Sequence, residues 1–330
     1  MRTYTNLQNI PLSLAVYLGT DNYDFVPNTI SATGLMRPTR QTVLTRRLPA
    51  ELAVTDISGL VQSRTGSSIH DGMERAWTSG NYKNAMIALG YPTAVIDRIQ
   101  VNPKDDELTK DSIPVYLEQR MYREHMGQTV SGKYDFLAEG RLEDLKTTTT
   151  YTWVNNTKEK DYQLQGSIYN WLDKALPVPR ITSDHMAIQF IFTDWKSFEA
   201  KMKPQYPQFR TMQKLIPLLS LPETEHYITE KLTQLANHKQ TPEADIPRCT
   251  DEELWRKAPQ YKYYKDPNKR VRSTKNFTNP GDAYEYQQSK GIGQGIVVEV
   301  PGEVVACRFC PAFPICTQKD EYLANNTLKI

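Results

Sequence analysis

Residues 128–150 read QTVSGKYDFLAEGRLEDLKTTTT, and this stretch decides the fold. Residues 128–137 and 141–150 have the composition of two β-strands. Ala138-Glu139-Gly140, which lies between them, has the composition of a turn. The stretch therefore predicts a β-hairpin.

The sequence on either side of the hairpin predicts helices around a small sheet. Ile69, Met73 and Trp77 recur at a spacing of four, which predicts a helix that begins near residue 63. Further elements are expected as strands at 115–123 and 186–192, and as helices at 82–89, 92–100, 161–175 and 222–237. The expected fold class is α/β, a small mixed central sheet flanked by helices, with an irregular C-terminal arm.

Composition narrows the classes of protein to consider. With 39% hydrophobic and 24% charged residues over 330 positions, the chain has the make-up of a soluble globular protein. No stretch approaches the roughly 18 to 20 apolar residues of a membrane helix, and no basic cluster frames the apolar run at 12–18 as in a signal peptide. A cytoplasmic protein is expected. Because the net charge is only +2, any surface for nucleic acid must be a local patch.

The hairpin carries the candidate catalytic residues. If the two strands are neighbours, Asp135 and Asp144 lie across from each other, and Lys146, two residues after Asp144, projects from the same face. Two carboxylates beside an ammonium suit Mg²⁺ or Mn²⁺ and the hydrolysis of a phosphodiester. The tripeptide alone is weak, since Asp194-Trp195-Lys196 and Glu199-Ala200-Lys201 have the same spacing and such a tripeptide is commonly a solvated face.

Four motifs, in order along the chain, distinguish this hairpin from a chance match to the Asp-x-Lys spacing. They are Thr65-Gly66-Ser67-Ser68-Ile69-His70, Glu118-Gln119-Arg120, Gly132-Lys133-Tyr134-Asp135 with Asp144-Leu145-Lys146, and Gln165-Gly166-Ser167-Ile168-Tyr169. Together they resemble the RecB-type branch of the PD-(D/E)XK nucleases over residues 65–170. The resemblance implies a nuclease core at 63–200, between an N-terminal helical or irregular region at 1–62 and a helical and cysteine-containing arm at 201–330.

The resemblance also implies roles for individual residues. His70, Asp135, Asp144 and the backbone carbonyl of Leu145 would bind the metal ion, and Lys146 would be catalytic. Three further residues would contact DNA or support the site: Glu118, Gln165 and Tyr169. Without the resemblance, His70 reads as a structural histidine on a helix face, and the other three read as packing or surface residues.

Three of the four cysteines lie within ten residues, at Cys307, Cys310 and Cys316, and Cys249 is the fourth. Four thiols at this spacing suit either a [4Fe–4S] cluster or structural Zn²⁺, and unligated thiols are the remaining alternative. The spacing resembles that of the iron–sulfur nucleases, namely the AddB subunit of AddAB and the nucleases of CRISPR adaptation. In those relatives the fourth cysteine precedes the nuclease core, whereas residues 35–44 of this chain contain no cysteine.

A basic and aromatic segment precedes the last three cysteines. Residues 256–277 contain eight lysines or arginines and one acidic residue, with tyrosines between them. This composition suits single-stranded DNA, and a solvated loop with packing tyrosines is the alternative. The candidate DNA-binding residues are Lys262, Lys265, Lys269, Arg270 and Arg272.

The sequence therefore predicts a Mg²⁺- or Mn²⁺-dependent deoxyribonuclease that resembles phage-encoded RecB-like exonucleases of replication or recombination. A structure-specific endonuclease, a non-catalytic DNA-end-binding accessory protein and a zinc-stapled structural protein are the alternatives. Because the sequence lacks Gly-x-x-x-x-Gly-Lys-Ser/Thr, unwinding would need a partner helicase, and a recombinase is a second candidate partner. Membrane partners are not expected, and the oligomeric state is left open.

Overall fold

The computed structural model describes residues 3–21, 26–291 and 293–330. The chain divides into two compact units, and each is described by itself. The core unit comprises the described residues within 1–37 and 54–233, and the cysteine unit comprises 38–53 and 234–330. The chain division differs from the expected one, because the cysteine unit combines a short N-terminal segment with the C-terminal third.

The strands of the core unit are β1 (Thr3–Thr5), β2 (Thr29–Ser31), β3 (Val54–Asp56), β4 (Ile99–Val101), β5 (Ile113–His125), β6 (Gln128–Ala138), β7 (Arg141–Thr148), β8 (His185–Phe192) and β9 (Thr211–Pro217). Its helices are α1 (Leu12–Gly19), α2 (Ala32–Leu35), α4 (Val61–Thr78), α5 (Tyr82–Ala88), α6 (Thr93–Ile96), α7 (Thr150–Val154), α8 (Glu159–Asp173) and α9 (Ser197–Met202). Helix α10 (Leu221–Asn237) contains the boundary between the two units.

The cysteine unit contains α3 (Thr39–Arg47), β10 (Gln260–Tyr264), β11 (Lys275–Phe277), α11 (Pro280–Ser289), β12 (Ile296–Val300) and α12 (Gln318–Ala324). Strands β11, β10 and β12 form an antiparallel sheet in that order. The expectation of an irregular C-terminal arm was therefore wrong for this part of the chain. Its strands are three to five residues long, too short to show a periodic pattern in the sequence.

The core unit is mixed α/β, and its sheet has the order β4-β5-β6-β7-β8-β9, with β2 added beside β6. Strands β5, β6 and β7 are antiparallel neighbours, whereas β8 runs parallel to β7. The connection from β6 to β7 is the two residues Glu139 and Gly140, both with positive φ, 50° and 75°. A two-residue hairpin turn that matches the twist of its strands needs positive φ at both of its residues.

Helix α4 has the expected half-buried face. Trp77 near its end packs on Phe136 of β6, with ring centroids 5.3 Å apart. His70, two turns earlier on the same helix, lies on the same face because seven residues make about two turns. The packing of Trp77 thus brings His70 to the strand that carries Asp135.

Helix α8 lies close to β6 because glycine occupies position 132. A methyl group there would lie 2.6 Å from Leu172 Cδ1 and 2.9 Å from Tyr169 Cδ1, and both of these side chains are buried. The glycine of the Gly-x-x-Asp motif is therefore a point of close approach between the sheet and its covering helix.

We expect Gly132→Ala to lower the free energy of unfolding by about 1 to 3 kcal/mol, because the added methyl group overpacks a filled interface. The matched control is Gly72→Ala on α4. No atom of the described residues outside its own helix backbone lies within 4 Å of a methyl group there. That control is expected to stabilise the protein by roughly 0.5 to 1 kcal/mol. Urea denaturation of both variants measures the two signs, and equal effects would contradict the packing assignment.

Candidate functional site

The candidate active site lies on the β6–β7 hairpin, between α4 and β5. Asp135 is on β6, and Asp144 and Lys146 are on one face of β7. Helix α4 contributes His70, and β5 contributes Glu118. The structure brings these five side chains together from elements that are separated along the chain.

Asp135 is the centre of the cluster. One of its oxygens, Oδ2, accepts a hydrogen bond from the backbone N–H of Leu145 (3.0 Å) and lies 3.2 Å from Nδ1 of His70. Burial would raise the pKa of Asp135, but the hydrogen bond and charge of His70, together with Lys146, hold it below the usual range. The same hydrogen bond raises the pKa of His70. Asp135 is therefore an ionised, oriented carboxylate at neutral pH.

Glu118 reaches the same point from the neighbouring strand. The pairs Leu117–Phe136 and Gln119–Tyr134 place it level with Asp135. Ligand atoms of His70, Glu118 and Asp135 all lie within 4.8 Å of one another, which makes the three residues a candidate metal-binding set. The sequence assigned Glu118 a supporting role, and only the strand register identifies it as a possible ligand.

The backbone of Glu118 is strained. Its φ of 52° lies in the left-handed region, which a residue with a side chain rarely adopts in the middle of a strand. Such a conformation costs about 1 to 3 kcal/mol and is concentrated at functional sites. Burial raises the pKa of the Glu118 carboxyl, and the ion pair with Lys133 opposes that rise.

Asp144 and Lys146 form a pair beside this set. Asp144 has only 4% of its side chain exposed, and its Oδ2 lies 2.5 Å from Nζ of Lys146. Burial raises the pKa of Asp144 to about 6, although Lys146 acts against that rise. The pKa of Lys146 is also raised: burial would lower it, but the carboxylates of Asp144 and Asp135 outweigh burial. The ammonium is therefore positively charged and directed at the cluster.

The remaining residues implied by the resemblance lie behind the site. Leu145 is buried on β7, and its N–H is the donor to Asp135. Gln165 and Tyr169 are both buried on α8, where Gln165 Nε2 donates to the Tyr169 hydroxyl (2.9 Å). Because Tyr169 also packs where Gly132 lacks a side chain, these two residues are placed to support the sheet rather than to contact a ligand.

Asp194-Trp195-Lys196, which matches the catalytic tripeptide in spacing, has a local structural role. Asp194 accepts hydrogen bonds from the backbone N–H (2.7 Å) and the hydroxyl (3.2 Å) of Thr150, at the start of α7. A carboxylate in this position satisfies donors that the first turn of a helix leaves unpaired. Tertiary context thus separates two tripeptides that the sequence does not.

The four cysteines converge in the cysteine unit, and none of them forms a disulfide bond. Burial raises the pKa of Cys249 to about 12 and that of Cys307 to about 11, and neighbouring sulfur atoms act in the same direction. The amide of Gln318 fixes the backbone of Cys249, because it accepts from the Cys249 N–H and donates to the carbonyl, each at 3.0 Å. Cys249 is thereby held with the C-terminal cysteines.

Arg40 also belongs to this centre. Its Nε donates to Sγ of Cys316 (3.4 Å), and its Nη1 donates to the carbonyls of Glu243 (3.1 Å) and Ile246 (2.9 Å). Arg40 is 3% exposed and forms an ion pair with the Glu243 carboxylate. Residues 35–44, which contain no cysteine, thus supply an arginine to the cysteine centre. A buried guanidinium needs several acceptors, and the sequence did not show where they were.

The basic segment has two parts in the structure. Tyr263 and Tyr264 are buried, and Phe277 packs on Tyr286, with centroids 5.3 Å apart, so these aromatic rings belong to the interior of the small sheet. Lys262 is half-buried on β10. The exposed candidates lie in the loop between β10 and β11: Lys265, Lys269, Arg270 and Arg272. Base stacking on Tyr263 or Tyr264 is therefore excluded while this sheet is folded.

Comparisons with known proteins identify neither a family nor a function for this chain. No family model matches the chain, and no curated protein matches it. The crystal structure of SSO0001 is similar at a TM-score of 0.41 and 15% sequence identity, over 74% of this chain and 95% of that chain. Within the described residues, no helix combines the length and apolar character needed to cross a bilayer. Function is therefore inferred from the geometry of the site.

We expect Mn²⁺ to raise the melting temperature of the wild-type protein, because an ion that binds only the folded state stabilises it. Glu118→Gln, which removes one charge from the candidate set, is expected to weaken Mn²⁺ binding by at least about tenfold. The matched control is Glu143→Gln. Glu143 is on β7 beside Asp144, and its partners are Arg141 and Gln189. Thermal melts over a Mn²⁺ titration, with chelator as reference, measure both variants. An unchanged titration for Glu118→Gln would remove Glu118 from the set.

Proposed function

We propose that this protein is a Mg²⁺- or Mn²⁺-dependent DNA nuclease of the PD-(D/E)XK type, and that the cluster on the β6–β7 hairpin is its active site. The observation that carries this proposal is the convergence of ligand atoms of His70, Glu118 and Asp135 within 4.8 Å, beside the ion pair of Asp144 and Lys146. Carboxylates, an imidazole and an ammonium in one cluster form a site for a divalent cation and a phosphodiester. The order of α4, the three antiparallel strands and α8 supports the resemblance seen in the sequence.

The chain's own residues have distinct tasks in this proposal. Bound at the carboxylates, Mg²⁺ or Mn²⁺ would polarise the phosphodiester and lower the pKa of the attacking water. The Leu145 N–H and His70 hold the Asp135 carboxylate in one orientation. Asp144 holds the ammonium of Lys146 in place, so that Lys146 can donate a hydrogen bond to the water or offset charge on the phosphate.

The resemblance favours an exonuclease that acts on DNA ends or single strands. The ion pair between half-buried Lys146 and buried Asp144 argues against a protein that only binds DNA, because such a protein needs exposed cations rather than a lysine paired with a buried carboxylate. The exposed lysines and arginines between β10 and β11 are the surface that we propose for DNA contact in the cysteine unit.

The cysteine centre is proposed to hold a [4Fe–4S] cluster bound by Cys249, Cys307, Cys310 and Cys316. Their sulfur atoms are close enough for each to affect the pKa of Cys249, and the chemistry of four thiols fits this cluster. Structural zinc bound by the same four thiols is the alternative. The cluster would tie Cys249 to the C-terminal segment.

We expect Lys146→Met to reduce metal-dependent cleavage of end-labelled DNA by about 100-fold or more, because it removes the cation beside the reacting phosphate. The matched control is Lys196→Met, which changes the lysine of the other Asp-x-Lys tripeptide and is expected to keep wild-type activity. Single-stranded and double-stranded substrates are compared in Mg²⁺, in Mn²⁺ and in chelator. Circular single-stranded DNA separates an exonuclease, which leaves it intact, from an endonuclease. Wild-type protein that binds DNA but is inert on every substrate would refute the catalytic proposal.

Protein purified without oxygen is expected to be brown and to contain iron and acid-labile sulfide, and Cys310→Ser is expected to lose most of both. Metal analysis and the absorbance spectrum measure this directly. Stoichiometric zinc in a colourless protein would replace the cluster with a structural zinc site and would leave the nuclease proposal unchanged.

A further inference from the structure

A cavity of about 230 Å³ lies in the core unit between α7, α8, β8 and β9. Its lining includes three aromatic side chains, Trp153, Tyr162 and Phe190, and two lysines, Lys158 and Lys214. Neither the metal set nor the cysteine centre includes any of these residues. Aromatic walls combined with cations are the two features by which proteins bind the bases and phosphates of unpaired DNA.

The aromatic walls are held in fixed orientations. The Trp153 and Phe190 rings meet edge to face, with centroids 5.6 Å apart and an interplanar angle of 87°. Tyr162 packs on the same Phe190 ring at 6.0 Å and 64°. Because Phe190 is buried and Trp153 is only half-buried, Trp153 keeps part of its surface toward the cavity.

The lysines are also held in place. Lys214 donates to the side-chain oxygen of Asn156 (2.6 Å) and pairs with Glu159. Lys158 pairs with Asp161 at 2.9 Å. An ammonium group has three donors, so Lys214, with two partners, keeps capacity for a phosphate oxygen while those partners fix its position.

The cavity adjoins the candidate active site through Tyr162. Nζ of Lys146 lies 5.7 Å from the centroid of the Tyr162 ring. Burial raises the pKa of Tyr162 to about 12, so its phenol is neutral at any physiological pH. One side chain thus borders both the catalytic lysine and the cavity, and a strand bound at Lys146 has the cavity beside it.

We propose that this cavity binds one nucleobase of a DNA strand whose phosphodiester lies at Lys146, with the base stacked on Trp153 and a flanking phosphate at Lys214. This proposal rests on the proposed nuclease function and identifies unpaired DNA as its substrate. A base in the cavity would fix the position of the strand along its own direction. The chain would then cleave at a set distance from the bound nucleotide, whatever the base.

The test uses full-length protein in chelator, so that DNA binds without being cleaved. Single-stranded polythymidine oligonucleotides carry one abasic site, which is moved along the strand. Wild-type protein is expected to lose about fivefold or more in affinity when the abasic site falls at one position. Trp153→Leu is expected to bind intact DNA more weakly by the same factor. An abasic site at the sensitive position is expected to cause no further loss of affinity in this variant. Tyr151→Leu is the matched control, because Tyr151 lies on the same helix with 64% exposure and is expected to behave as wild type.

A second variant keeps the proposal testable if Trp153→Leu fails to fold. The affinity of Lys214→Gln is measured on oligonucleotides that carry one neutral methylphosphonate linkage at varied positions. If Lys214 contacts one phosphate, the affinity losses from the mutation and from the neutral linkage are expected not to add when the linkage is at that phosphate. Additive losses at every position, or a wild-type protein with no sensitive position, would overturn the cavity proposal. Metal-dependent cleavage by that same wild-type protein would leave the nuclease proposal standing, whereas absent cleavage would refute the nuclease proposal separately.

Discussion

The hydrogen bonds on Asp135 Oδ2 are the constraint on which the site depends. One comes from the backbone of β7 and the other from His70 on α4, so a single carboxylate joins the hairpin to the preceding helix. Burying that charge is costly, and the two donors with Lys146 offset the cost. The same logic applies to Asp144, whose buried carboxyl is balanced by Lys146. Neighbouring carboxylates and the strained backbone of Glu118 lower the stability of the folded chain. Such a cluster is typical of a site that binds a cation.

Small residues and rings give this cluster a rigid backing. Gly132 lets α8 approach β6, and Gly166 on α8 faces Met186 of β8 in the same way. Tyr169 and Gln165 fill the space between helix and sheet and bond to each other. On the far side of Lys146, Tyr162 and Phe190 form the wall of the cavity. The motif residues of α8 thus act through packing, which holds the strands carrying the charged groups at fixed separations.

The cysteine unit combines two segments that lie far apart in the chain. Residues 38–53 fold with the C-terminal third, although 180 residues of the core unit, 54–233, lie between them in the chain. Arg40 satisfies two backbone carbonyls, pairs with Glu243 and donates to Cys316. A buried arginine is stable only with such a full set of acceptors, so α3 is tied to this unit without supplying a cysteine. Gln318 performs the matching task for Cys249 by bonding both of its backbone groups.

The sequence by itself determined the elements whose signals are local. The β6–β7 hairpin, the place of its turn, the face of α4 and the helix after the hairpin all follow from spacing and turn chemistry within about twenty residues, whereas Ala138, expected in the turn, belongs to β6. The charged groups on β7 also follow, because alternation alone puts Asp144 and Lys146 on one face. Only the tertiary structure decided that Glu118 lies level with Asp135, that Asp194 caps a helix, and that Arg40 contacts Cys316. The residues in each of these contacts are far apart in the chain. Strand register, the close approach of helices and the burial of charged groups bring them together. The short strands of the cysteine unit show no period, so their buried tyrosines were visible only once the sheet had formed.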